Sequence, residues 1–533
     1  MLARVRSVAN VGLESVEVEV EVDVAERGFP GFTIVGLASK AVEEARERVK
    51  TAIRNSGAEF PEKKITVNLA PADLPKEGSA YDLPMAVGIL MANGDLDLSG
   101  PPHSAGQHRD DKFGLESVPD FSKWLKESYF YGELGLDGSL RHTKGVLLVA
   151  LKARREGVKR VFVPVYSASQ AAVVAGVEVY PVRNLKELVL HLRGVKPITP
   201  MKAIEPEGVV AEAEALVDLR EIVGQEQAKR ALIIAAAGSH NLLMTGAPGA
   251  GKTMLAKAMP GILPPLSVDE SLEVTRIYSV AGLMKEGEAL VRRRPFRAPH
   301  HTTSRVGLIG GGSNPMPGEV SLAHLGVLFL DELPEFSRAS LEVLRQPMED
   351  GVVTISRARA RASYPADFML LASANPCPCG FLHHPTKVCH CTPKQIASYK
   401  RRISGPILDR IDMHVWVEPV ETAKLAKAGD GVSTAEAREM VMRARRVQAE
   451  RFKNLKGIYT NSQMSNKLVR KFCPLKPEVE AILRQAVERF DLSARGYFKM
   501  IKVARTIADI EGSEEIEKHH MGEAVQYREE RDK

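Results

Sequence analysis

The chain has 533 residues, 26% of them charged and 44% hydrophobic, the balance of an ordinary folded protein of about two to four domains rather than a disordered or fibrous one. No apolar run is long enough to cross a bilayer, and Met1-Leu2-Ala3-Arg4-Val5-Arg6 leads into no apolar signal core, so a cytoplasmic location without a membrane partner is expected. A net charge of +6 is too dilute over this length to identify a polyanion by itself. The first segment, 1–193, reads as mixed α and β. Strict alternation over Val16–Val24 marks a half-buried strand. An amphipathic helix follows over Ala41–Lys50, then a strand over Lys64–Leu69, a helix near Pro84–Met91, a strand and turn over Tyr131–Leu140, a helix near Leu147–Arg155 and a strand at Arg160–Val163. The irregular, polar stretch 98–124 reads as a surface loop. Residues 194–215, with Gly194, Pro197, Pro200 and Pro206 and then a small acidic run, read as a linker.

The second segment, 216–420, alternates strands and helices around Gly246-Ala247-Pro248-Gly249-Ala250-Gly251-Lys252-Thr253. This is a complete phosphate-binding loop between an apolar strand, Asn241–Met244, and a helix start, Met254–Met259. Glycines let backbone N–H groups turn toward phosphate oxygens, and the helix N-terminus adds its positive dipole end. Lys252 can reach the β- and γ-phosphates, and the Thr253 hydroxyl can sit on Mg²⁺. Val327–Leu330 is an apolar strand ending in Asp331-Glu332. A buried parallel strand delivers both acids at its C-terminal edge, where such sheets bind ligands; Asp331 would hold the metal and Glu332 would polarise the attacking water. Phe368–Ala374 is a further apolar run, ending at Asn375. That asparagine either helps Glu332 orient the water or forms a turn before Pro376.

The third segment, 421–533, is mainly helical. Ser433-Thr434-Ala435-Glu436 is a capping box opening a helix to about Leu455, and helical patterns follow near 477–490, 495–511 and 514–528. The phosphate loop, Asp331-Glu332, Asn375 and Leu408-Asp409-Arg410-Ile411-Asp412 together resemble an AAA+ ATPase of the magnesium-chelatase-like branch. Arg294–Thr302 and Asn375-Pro376-Cys377-Pro378-Cys379-Gly380 narrow the resemblance to the ComM/YifB family, over nearly the whole chain. The resemblance implies an α/β fold with a Lon-protease-like α+β N-terminal domain, a parallel-sheet ATPase core and a helical C-terminal lid. It implies Arg410 as an arginine finger reaching a neighbouring subunit's nucleotide, and Arg495 as a second sensor contacting phosphate from the lid, with Arg505 as its rival. Ile222-Val223-Gly224-Gln225 resembles the stretch lining the adenine pocket. The implied activity is ATP- and Mg²⁺-dependent branch migration of single-stranded or branched DNA by a hexamer, in recombination and natural transformation. A chelatase-type motor serving metal insertion into a tetrapyrrole, a Lon-like ATP-dependent protease and a nucleotide-gated scaffold are the alternatives.

Three further features stand out. Cys377, Cys379, Cys389 and Cys391 form C-x-C-x₉-C-x-C, with His383, His384 and His390 among them. Four soft ligands in a short loop can close a tetrahedral Zn²⁺ site; an iron–sulfur cluster or a reactive thiol cluster would use the same residues, and Cys473 reads as core. Arg357, Arg359 and Arg361 alternate with alanine, so on a strand they share one face. The resemblance implies a hairpin at this point, between Glu332 and Asn375, projecting into a central pore; the three arginines there either meet a nucleic-acid backbone or form a solvated surface, while Arg292-Arg293-Arg294 reads as solvated and His300-His301 as a loop. Finally, Val67–Pro84 and Gly132–Gly138 resemble the Lon protease domain near its nucleophile and lysine. Ala80 falls at the nucleophile position, beside Ser79. Val146 falls at the lysine position, two residues from Lys144, which implies an inactive scaffold, since that chemistry needs Ser with a neutral Lys.

Overall fold

The computed structural model describes residues 2–27, 29–36, 40–74, 76, 78–96, 121–205, 217–312, 314–357, 361–420 and 431–528. Its N-terminal part carries a four-stranded mixed sheet in the order Leu2–Val11, Glu14–Val24, Lys64–Ala70, Gly31–Val35. The first two pairings are antiparallel and the last is parallel. Alternation sets the faces: Val18, Val20, Val22 and Val24 point into a core shared with the helices Ala45–Asn55 and Asp82–Ala92. A second, parallel sheet orders Ser128–Phe130, Arg160–Pro164 and Glu178–Val182.

Two expectations change here. The proposed loop 98–124 lies outside the described residues up to 120, but Phe121–Lys126 is a helix. Its Trp124 packs against Phe162, Tyr180 and His191, with ring centroids 5.2–5.6 Å away. Of the proposed linker, 194–205 is packed rather than free: Ile198 is buried, Met201 bridges Val179 and Ile204 N–H donates to Ala172 at 2.9 Å. Residues 206–215 are outside the described set.

The central sheet is five-stranded and wholly parallel. Its order is Phe296–Arg297, Val327–Leu330, Met369–Ala374, Leu242–Gly246, Met413–Val417. Every residue of the Val327–Leu330 and Met369–Ala374 strands is buried, as a sheet covered on both faces requires. Leu242, Met244, Phe329 and Leu371 face a core built with the helix Glu226–Gly238 and the C-terminal helices Thr434–Phe452, Pro477–Phe490 and Ala494–Glu511. Leu243, Leu328, Leu330 and Leu370 face a second core with Leu341, Ile355, Tyr364 and Ile403. The C-terminal helices thus share the sheet's own core and are not a detached lid. The expected capping box at Ser433 and Glu436 opens the first of them. Among the described residues, no helix is long and apolar enough to cross a membrane.

A buried polar cluster ties helix to sheet below the strands. His240 Nε2 lies 2.8 Å from Thr506, and Asp412 accepts from the Asn241 N–H at 2.8 Å and pairs with Lys499 at 2.9 Å. Burial pushes the His240 pKa from 6.5 down to about 4. Burial alone would raise Asp412, but Lys499 and His240 more than offset it and hold it at about 2. Both folded pKa values lie below the unfolded ones, so both contributions are complete at neutral pH and are lost as pH falls. Stability measured by urea unfolding should fall between pH 6.5 and 4, as unfolding lets His240 take up a proton, with a slope of about 1.4 kcal/mol per pH unit for this group. His240→Asn should flatten that limb.

Candidate nucleotide site

The phosphate loop leaves the strand Leu242–Gly246 and enters the helix Lys252–Ile262. Gly246 is demanded by packing: a Cβ there would lie 2.3 Å from the Val417 carbonyl oxygen. Gly249 and Gly251 have φ of +78° and +95°, the left-handed region that turns successive N–H groups inward. Lys252 is buried, and its ammonium donates to Gly246 O at 2.6 Å, Ala247 O at 3.0 Å and Asn375 Oδ1 at 3.2 Å. Burial pushes its pKa down, partly offset by Asp331 and Glu332; a triphosphate would supply the missing counter-charge. Gln225, with φ +62°, donates to Ala250 O at 3.1 Å and Glu418 O at 2.5 Å. This sets the proposed adenine-side stretch directly against the phosphate loop.

The strand Val327–Leu330 brings the acid pair to the same sheet edge. Thr253 Oγ1 donates to Asp331 Oδ2 at 2.9 Å, so the hydroxyl and carboxylate that would share Mg²⁺ are adjacent. Ser373, from the neighbouring strand, donates to Asp331 and accepts from the Glu332 N–H at 3.1 Å. Glu332 has φ +54°, a left-handed conformation that costs about 1 kcal/mol or more outside glycine and recurs at functional sites. Its carboxylate is half exposed, 3.7 Å from His301 Nδ1. In the sequence His301 reads only as part of a loop and Ser373 as one residue of an apolar run. Ser373 had no signal beyond its place in an apolar run, and His301 is brought to Glu332 only by chain folding.

The two arginines lie elsewhere. Arg410 lies three residues before the strand Met413–Val417, at its N-terminal end, whereas the phosphate loop leaves the parallel neighbour at its C-terminal end. One strand length, roughly 16 Å for five residues, separates them within a chain. The Arg410 guanidinium donates to Pro406 O at 2.7 Å and pairs with Glu349 Oε1 at 2.7 Å. Arg495 pairs with the same oxygen at 2.8 Å. Both line a cavity of about 650 Å³ with Lys499, Lys502 and Asp409. Arg495 is therefore a neighbour of Arg410 and does not reach over its own chain's phosphate loop, which corrects the picture of a lid bringing it there. Its rival Arg505 is a core residue, held by Asp509 Oδ1 at 3.0 Å and by the Ser513 and Glu514 carbonyls.

Comparison with known proteins places this geometry. Residues 218–425 match a family described as "Magnesium chelatase, subunit ChlI", and 431–528 match its C-terminal family. Residues 20–104 and 115–167 match "Subunit ChlI of Mg-chelatase". The chain is 41% identical to the competence protein ComM of Haemophilus influenzae over 99% of this chain and 97% of that one. The chain belongs to the ComM/YifB family. YifB of Salmonella typhimurium is 40% identical over 99% and 97% of the two chains, and the Mycobacterium tuberculosis protein Rv2897c is 40% identical over 96% and 95%. The ChlI-type match implies an ATPase using ATP and Mg²⁺. Mg²⁺ bound between Thr253 and Asp331 would neutralise charge on the β- and γ-phosphate oxygens.

In this ComM/YifB chain the four cysteines converge: their sulfurs all lie within 4.8 Å of one another, while Cys473 is buried apart, in the helical core. The arginine segment is a hairpin, the arrangement that the family resemblance implies. Val352–Ser356 pairs antiparallel with Arg361–Pro365, Ser356 opposite Arg361. Arg357 follows the first strand and Arg361 opens the second, so both lie at the same end of the hairpin and both are exposed; Arg359 lies outside the described residues. Arg294, expected to be solvated, is bound to Glu270 at 2.9 Å and to Pro264 O and Leu325 O. Ser79 and Lys144 line one cavity of about 400 Å³, but the Ser79 hydroxyl donates to Glu133, and Lys144 lies against Gly282 of the ATPase part. Ala80 and Val146 are buried.

Proposed function

We propose that this chain is the repeating unit of a ring-forming ATPase, a hexamer, that drives branch migration of DNA in recombination and natural transformation. The observation that carries the ring is the position of Arg410, a strand length from its own phosphate loop yet on a cavity rim with Arg495, Lys499 and Lys502. A neighbour's triphosphate inserted there would meet Arg410 and Arg495 together, replacing Glu349 as their anionic partner. Lys252 then holds the β- and γ-phosphates, Glu332 takes a proton from the attacking water with Asn375 beside it, and the two arginines compensate the charge spreading over the transferring group.

The DNA substrate is supported by the likeness to a protein named for competence and by the hairpin that gathers Arg357 and Arg361 at its end. Guanidiniums in such a place bind phosphates without reading sequence. The chelatase alternative keeps the matches to chelatase families, but the magnesium-chelatase 67 kDa subunit of Chlorobaculum parvum is 27% identical over only 30% of this chain, against 41% over 99% for the competence protein. The protease alternative is disfavoured by the engagement of Ser79 with Glu133.

A strand-displacement assay on a branched DNA, with and without ATP, tests the proposal. Displacement that requires ATP is expected; absence of both binding and ATPase stimulation at low salt ends it. Changing Arg357, Arg359 and Arg361 together to Ala should weaken binding about equally for all sequences. It should also make the slope of log affinity against log salt shallower, by about 1 for each phosphate that is no longer neutralised.

A further inference from the structure

We infer that the four-cysteine loop holds one Zn²⁺ and that this ion sets the conformation of the phosphate loop, making nucleotide affinity zinc- and oxidation-dependent. The Cys377, Cys379 and Cys389 sulfurs are 3.4, 3.5 and 3.7 Å apart, and Cys391 closes the group. A tetrahedron of thiolates bound at 2.3 Å has edges of about 3.8 Å. A disulfide would bring one pair to about 2.05 Å. A multi-iron cluster spreads its cysteines over different metals, which four sulfurs this close cannot do. No strand or helix imposes the convergence, because 375–392 is irregular. Hydrophobic burial does not impose it either, since Cys379, Cys389 and Cys391 are only half buried. The Phe381 N–H points at the Cys379 sulfur, the Cys391 N–H at Cys389 and the Cys379 N–H at Cys391, the donor pattern that supports metal-bound thiolates.

The same loop touches the nucleotide site twice. Asn375, two residues before Cys377, accepts from Lys252. Gly380, between the second and third cysteines, has φ +80° and lies so close to Pro248 that a Cβ would sit 2.5 Å from its ring. Pro248 is the third residue of the phosphate loop. On the far side the loop is braced by His383 against Trp416 of the edge strand, centroids 6.2 Å apart. A cross-linked loop wedged between Trp416 and Pro248 fixes the phosphate loop from outside; once the metal leaves, fifteen irregular residues no longer do so.

The coupling rests on reading Gly246–Thr253 as the nucleotide site, whereas the metal does not. Full-length protein purified without chelator should contain about one zinc per chain by mass spectrometry. A thiol-specific mercurial or peroxide should release it, detected by a chromogenic zinc indicator. Fluorescent ATP analogue should then bind at least about tenfold more weakly, and reductant with zinc should restore the affinity. Gly380→Ala should keep the zinc and show the same weakening, which separates loss of the wedge from loss of the fold. Protein with four free thiols and no metal, or with stoichiometric iron, overturns the zinc assignment. Zinc release, or Gly380→Ala, with unchanged nucleotide affinity overturns the coupling. Zinc-loaded protein that binds no nucleotide at all sinks the ATPase reading and the coupling while leaving the metal count standing.

Discussion

Arg410→Ala should abolish turnover while leaving nucleotide binding intact. The residue contacts Pro406 and Glu349 and none of Lys252, Thr253, Asp331 or Glu332, so a chain without it would still build its own phosphate cradle. What disappears is the positive charge offered to the next chain's transferring phosphate. In other nucleotide hydrolases such a guanidinium is worth ~10³–10⁵ in rate, and a loss in that range is expected in kcat with the affinity for ATP within a few-fold of wild type. Arg410→Lys should recover little, because an ammonium cannot reproduce the planar fork. Arg495→Ala should act in the same direction, since the two side chains share Glu349. A parallel loss of ATP affinity would place Arg410 in its own chain's pocket and contradict the geometry.

Glu332→Gln should bind ATP and fail to cleave it, accumulating assembled rings. The amide keeps the size and the backbone of the residue, whose N–H is fixed by Ser373 and Asp331, but it cannot accept the proton of the attacking water. Removal of a general base costs typically 10²–10⁴ in rate. With Lys252, Thr253 and Asp331 untouched, bound triphosphate persists and bridges neighbouring chains. Light scattering of Glu332→Gln with ATP should report an oligomer that dissolves slowly, against a faster return for wild type. A protein that stays monomeric with ATP bound would count against any site shared between chains.

Much of the site was legible because its parts are contiguous: the loop Gly246–Thr253 and the pair Asp331-Glu332 each carry their chemistry in adjacent residues, and an apolar run before each announces a buried parallel strand. What was not legible depends on contacts between distant segments. Nothing near Glu349 signals that it will hold two arginines, and His301 meets Glu332 only through the fold. The hairpin was legible only through the resemblance to related ATPases, for a different reason. The alternation of Val353–Tyr364 shifts phase only at the polar pair Ser356-Arg357, and no Gly, Pro or Asn marks a reversal, so the residues alone put three arginines on one strand face. Trp124 is the opposite case, an anchoring aromatic in a helix of six residues, too short for periodicity to reveal.

The most direct test mixes two inactive proteins, Lys252→Ala and Arg410→Ala. One cannot bind triphosphate and the other offers its neighbour no guanidinium. Mixed assemblies contain junctions with an intact cradle on one side and an intact Arg410 on the other, so ATPase activity should reappear on mixing and rise with the ratio toward an equal mixture. Mixtures that co-assemble yet remain as inactive as either protein alone would contradict a site built by two chains.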